Sequence, residues 1–79
     1  MNREHVKETV IGFIRNVIDD KEVKIVEENG LMEDLDLSSL EIMTMISDIE
    51  QEFQIVLEEA ELRKIVSVGD IIDCICSKG

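Results

Sequence analysis

The stretch Leu37-Ser38-Ser39-Leu40-Glu41-Ile42-Met43-Thr44-Met45-Ile46-Ser47-Asp48-Ile49-Glu50-Gln51-Glu52-Phe53 decides the fold. Ser38 and Glu41 have the spacing of a capping box. The serine oxygen accepts an amide of the first turn, and the glutamate reaches back to the serine amide. From there Ile42, Met45, Ile46, Ile49 and Phe53 share one broad face at about 100° per residue, while Leu40, Met43 and Ser47 form a flanking stripe about a third of a turn away. The pattern predicts an amphipathic helix that opens at Ser38, capped by that residue, and buries its broad face.

Upstream, Val6, Val10, Phe13, Ile14 and Val17 recur at steps of three and four, opposite Glu4, Glu8 and Arg15, which predicts a first helix over about residues 3–18. Residues 19–37 hold no sustained period, and a connection of roughly 20 residues is long for a compact domain. Val23, Ile25, Val26, Leu31, Leu35 and Leu37 must therefore pin it to the core, with a turn at Asn29-Gly30. Downstream, Gln54-Ile55-Val56-Leu57 is too short to prove a strand. Leu57, Leu62 and Ile65 outline a brief helix, and Ser67 with Asp70 repeats the start signal before Val68, Ile71, Ile72 and Ile75. The expected architecture is all-α, a four-helix bundle with a short third helix and a long first loop, and residues 1–79 form a single domain without internal repeats.

Composition narrows the function. Apolar residues are 44% of the chain but aromatics only 3%, so the interior is expected to be aliphatic, built around Phe13 and Phe53. Nineteen acids against eight bases give a net charge of -11, which repels nucleic acid and anionic membranes and attracts basic protein surfaces. No run approaches the roughly 20 apolar residues of a membrane helix, and the acidic start does not resemble a signal peptide, so a cytoplasmic protein without stable membrane insertion is expected, working as a monomer.

Little in the chain suggests catalysis. His5 is the only histidine and falls on a polar face, with no serine or cysteine near it in sequence to form a nucleophile and base pair. Cys74 and Cys76, two residues apart, suit neither a metal cage nor a disulfide framework, and both thiols are expected to be reduced. Asp34, Asp36 and Ser38 have the first three ligand spacings of a calcium loop. Its sixth position would be Ser39 instead of glycine and its twelfth Met45 instead of glutamate, so no metal site is expected. No enzyme is expected either.

The segment Asp34-Leu35-Asp36-Leu37-Ser38-Ser39-Leu40-Glu41 resembles the signature of the acyl carrier protein family, an acidic, leucine-bearing loop ending in Asp-Ser-Leu at the start of the second helix. Ile49-Glu50-Gln51-Glu52-Phe53 is similar to the acidic close of that helix, and Ile65-Val66-Ser67-Val68-Gly69-Asp70 to the approach to the last helix. The resemblance covers nearly the whole chain. It implies a discrete acyl carrier with Ser39 as the attachment point for 4'-phosphopantetheine, delivered from coenzyme A by a magnesium-dependent phosphopantetheinyl transferase. Acyl intermediates of fatty-acid, polyketide or related biosynthesis would ride on the arm as thioesters. A phosphodiester at this position would meet unpaired helix amides and the positive end of the helix dipole.

Ser38 stands where the family usually has Asp, but it can still cap the helix. The resemblance also implies docking of acyl-loading and modifying enzymes, through their basic surfaces, onto Asp34, Asp36, Leu40, Glu41, Met43, Ser47, Asp48 and Glu50, with Glu52 beside them. Thr44, Ser47 and Gln51 depart from many fatty-acid carriers and argue against a housekeeping role. Two alternatives stand: an aminoacyl or peptidyl carrier, including a D-alanyl carrier, and an unmodified acidic helical adaptor.

Overall fold

The structure is a computed structural model that describes residues 2–18 and 22–78. Among the described residues four helices follow one another: α1 (Arg3–Val17), α2 (Ser39–Phe53), α3 (Glu59–Leu62) and α4 (Val68–Lys78). Among the described residues there is no strand, and one isolated antiparallel bridge joins Gly30 to Ser67. The all-α expectation holds, and so does the short third helix.

The helices α1, α2 and α4 start where a short side chain can take up free amides. The Asn2 Oδ1 accepts from the amides of Glu4 at 2.8 Å and His5 at 3.3 Å, opening α1. Ser38 opens α2 through the expected box, its Oγ accepting the Glu41 amide at 3.2 Å and its own amide donating to Glu41 Oε1 at 2.9 Å. Ser67 and Asp70 form the same reciprocal pair at 3.2 and 3.0 Å, and Asp70 Oδ2 also accepts the Val66 amide at 2.9 Å. These two backbone bonds hold the Asp70 carboxyl below its ordinary value against the opposing effect of burial.

α1 packs against both α2 and α4. It buries Val6, Val10 and Ile14, while α2 contributes Met45, Ile46 and Ile49 and α4 contributes Val68, Ile71, Ile72 and Ile75. Fully burying such a side chain stabilises by about 1.5–3 kcal/mol. The expectation of a core built around the two phenylalanines is corrected here. Phe13 and Phe53 are only partly buried and pack against the cluster from its margin. Val6, Val10 and Ile14 are spaced by four and centre the buried stripe of α1, so Phe13, about 100° from Ile14, falls on its flank.

The long connection is pinned as expected: Ile25, Leu31, Leu35 and Leu37 are buried. Asn29 builds the turn, its Oδ1 accepting the Val26 amide at 2.9 Å and its amide donating to the Val26 carbonyl at 3.1 Å. Backbone bonds then lace the connection to the entry of α4. The Leu31 amide donates to Val66 O at 2.9 Å, Val68 to Asn29 O at 3.0 Å and Gly69 to Glu27 O at 2.9 Å. A Cβ on Gly69 would stand 3.2 Å from Glu27 O, a tight contact that glycine avoids.

Candidate functional site

The candidate site is the corner where the long connection enters α2. Leu35 and Leu37 are buried and anchor the approach, and Asp36 between them is exposed in the left-handed region at φ 56°. Asp34 Oδ2 accepts the Gly30 amide at 2.6 Å, and the Asp34 and Leu35 amides both donate to Gly30 O, at 3.0 and 3.1 Å. These bonds fix the direction from which the backbone reaches Ser38.

The two adjacent serines are treated differently by the fold. Ser38 has its Oγ committed to the Glu41 amide. Ser39 is the first residue of α2 and is exposed, and among the described residues nothing bonds its hydroxyl. The Ser39 and Leu40 amides likewise meet no acceptor among the described residues, because the helix ladder starts with Ile42 donating to Ser38 O at 3.0 Å. An open hydroxyl beside two open amides fits a serine-linked phosphodiester: Ser39 Oγ would carry the ester and the two N–H groups would face the phosphate oxygens.

The expected partner-contact residues fall into two kinds. Leu40 is 77% exposed and Met43 51%, and Ser47 and Asp48 are exposed beside them along α2. Three of the acids have internal work as well: Asp34 holds Gly30, Glu41 holds Ser38, and Glu50 Oε2 accepts the Leu57 amide at 2.8 Å, fastening the chain after α2. Asp36 and Glu52 are exposed.

Two hollows flank the corner. One of about 240 Å³ has Val17, Val23 and Leu35 for walls and Asp34, Asp36 and Glu41 around it. The other, about 160 Å³ and mainly apolar, lies among Gly30, Leu31, Met32, Ile42, Ile65 and Val66. Met32 at its edge is 54% exposed and Val66 is 61% exposed. Sequence reasoning missed these two, since neither belongs to a periodic helix face. A large apolar residue stranded in a loop was the only signal they gave.

The residues set aside in the sequence stay outside this corner. His5 is exposed on α1, and its carbonyl accepts the Thr9 hydroxyl at 2.9 Å. Cys74 and Cys76 lie unbridged on α4, and burial, helped by Glu61, Asp70 and Asp73, pushes the Cys74 thiol above its ordinary value. Among the described residues no group of His, Cys, Asp and Glu could hold a metal, and no helix is long and apolar enough to cross a membrane.

The chain is similar to known proteins in sequence and in fold. The family described as "Phosphopantetheine attachment site" matches residues 8–75. The acyl carrier protein of Thermotoga maritima is 33% identical over 76 residues, covering 91% of this chain and 94% of that protein. That of an Exiguobacterium species is 32% identical over 76 residues, covering 91% and 96%. The solved acyl carrier protein of Enterococcus faecalis superposes with a TM-score of 0.82 at 28% identity, covering all of both chains. A Mycobacterium tuberculosis chain assigned as an acyl carrier protein shares the fold with a TM-score of 0.86 at 23% identity, over 94% of this chain and 99% of that one. The chain belongs to the acyl carrier protein family, a family of carriers and not enzymes, whose cofactor is a covalently held 4'-phosphopantetheine.

Proposed function

We propose that Ser39 is the residue that carries the arm, and that the protein holds acyl intermediates of fatty-acid, polyketide or related biosynthesis while basic enzymes of the cytoplasm act on them. The observation that carries this reading is the asymmetry of the two serines: Ser39 Oγ is open at the first turn of α2, and Ser38 Oγ is occupied by the cap. In the loading step Ser39 Oγ would form a bond to the pantetheine-bearing phosphorus of coenzyme A, the bond from that phosphorus to the bridging oxygen would break so that adenosine 3',5'-bisphosphate leaves, and the hydroxyl proton would pass to the transferase. Once attached, the arm supplies a terminal thiol that carries acyl groups as thioesters.

The chain's own residues hold the corner in place. Glu41 and Ser38 fix the entry angle of α2, the Ser39 and Leu40 amides would be available to the phosphate, and Leu40 and Met43 offer apolar contact within an acidic surface. Charge complementarity of this kind raises association rates and selectivity more than tightness, which suits a monomer that must leave each enzyme it visits. The mainly apolar 160 Å³ hollow beside Ile42 favours acyl over aminoacyl cargo.

The test is intact mass after incubation with coenzyme A, magnesium and a broad-specificity phosphopantetheinyl transferase. The wild type and Ser38→Ala are expected to gain one phosphopantetheine and Ser39→Ala none. Gain in Ser39→Ala with loss in Ser38→Ala would move the site, and no gain with several transferases would favour an unmodified acidic adaptor.

A further inference from the structure

Glu27 is where three parts of the molecule meet. Its Oε1 takes Arg3 Nη2 at 2.5 Å, its Oε2 lies 3.7 Å from Lys7 Nζ, and its backbone carbonyl takes the Gly69 amide at 2.9 Å. Arg3 Nη1 reaches Asp73 Oδ1 at 2.7 Å, so one guanidinium joins α1 to both the connection and α4. Its two carboxylate partners raise the Arg3 pKa.

Residues 27–31 leave Glu27 as a strap laced to 66–69 by the bonds from Gly69, Val68 and Leu31. The far end of that lacing, Leu31 on Val66, is also a wall of the apolar hollow beside Ile42. At about 160 Å³ the hollow is smaller than the roughly 300 Å³ at which pockets for organic ligands begin. Parting the strap from 66–69 is the motion that would enlarge it, and the Arg3–Glu27–Lys7 cluster lies at the opposite end of the same lacing.

We propose that residues 27–31 separate from residues 66–69 as one unit, that this opening enlarges the hollow beside α2, and that the ion cluster at Glu27 sets how often it occurs. Its bearing on cargo rests on the carrier reading; the opening itself does not.

Native-state hydrogen exchange on the full, unmodified chain across a urea series tests the unit first. The Leu31, Val68 and Gly69 amides should share one opening free energy and one urea dependence, shallower than that of Ile46 and Ile49 in α2. Glu27→Gln, which keeps the backbone carbonyl and removes the charge, should speed all three by about twofold to fivefold. Three unrelated opening energies, a urea dependence equal to that of α2, or no response to Glu27→Gln would each overturn the proposal.

A second arm loads the chain from acetyl- or decanoyl-coenzyme A. Decanoyl attachment should speed exchange at the same three amides relative to acetyl, and equal exchange would overturn the link to the hollow. Failure to load at all, seen by intact mass, would count against the carrier reading and leave the first arm standing.

Discussion

Gln54 closes α2 in the left-handed region at φ 55°, with its amide donating to Glu50 O. A side chain with a Cβ is strained there and glycine is not, so Gln54→Gly is expected to stabilise the protein by about 0.5–1 kcal/mol, read as a higher urea midpoint at unchanged slope. Asp36 adopts the same region, yet Asp tolerates it better, and the residue lies in the candidate docking face. Neither conformation was legible from the residue types, because Gln and Asp do not announce a positive φ as Gly does. The cap at Ser38 was legible, because it needs only residues three apart.

Among the elements, α4 offers the clearest pH test. Asp70 accepts the Val66 and Ser67 amides, which lower its pKa from the ordinary 3.8. Because the folded value is the depressed one, this contribution is full above the unfolded pKa and is lost as pH falls through the folded pKa. Asp70→Asn should therefore be less stable than the wild type near neutrality, by about 1 kcal/mol given the group's partial exposure. The gap in thermal midpoint should close as pH drops below 3.8.

Local signals gave α1, and the starts of α2 and α4, within about a residue: the first helix ends at Val17 and Ile18 is already extended. The role of Arg15 was missed. It was placed on the polar face, yet its guanidinium donates to Val23 O at 3.1 Å and helps hold the connection. That partner lies in the segment with no periodicity, where nothing in the sequence indicates which carbonyl turns inward.

Across the whole molecule, charge works against the fold. A net -11 on 79 residues means self-repulsion that the ion pairs of Arg3, Lys7, Arg63 and Lys78 offset only in part. Raising sodium chloride from about 0.01 M, where the screening length is about 30 Å, to about 0.15 M, where it is about 8 Å, should stabilise the chain by about 1 kcal/mol, roughly 4–8 °C in thermal midpoint. A fall in midpoint would show that the ion pairs outweigh the repulsion.

Those pairs also mark where sequence reading stops. Arg3 and Asp73 are 70 positions apart, and no periodicity or motif connects them. The way 27–31 and 66–69 line up depends on how α1 and α4 pack, which is set by the assembled core and not by either segment. The candidate corner, by contrast, is contained in about eight consecutive residues, which is why its outline could be read before its surroundings.

Two neighbouring alcohols rarely differ in reactivity by much, and synthetic chemists mask one in order to address the other. Here the backbone supplies the mask, since the Glu41 amide occupies the Ser38 oxygen at 3.2 Å while Ser39 is left bare. An electrophile brought to this corner by any reagent, natural or synthetic, meets a pair already sorted, and denaturing the helix would erase the distinction.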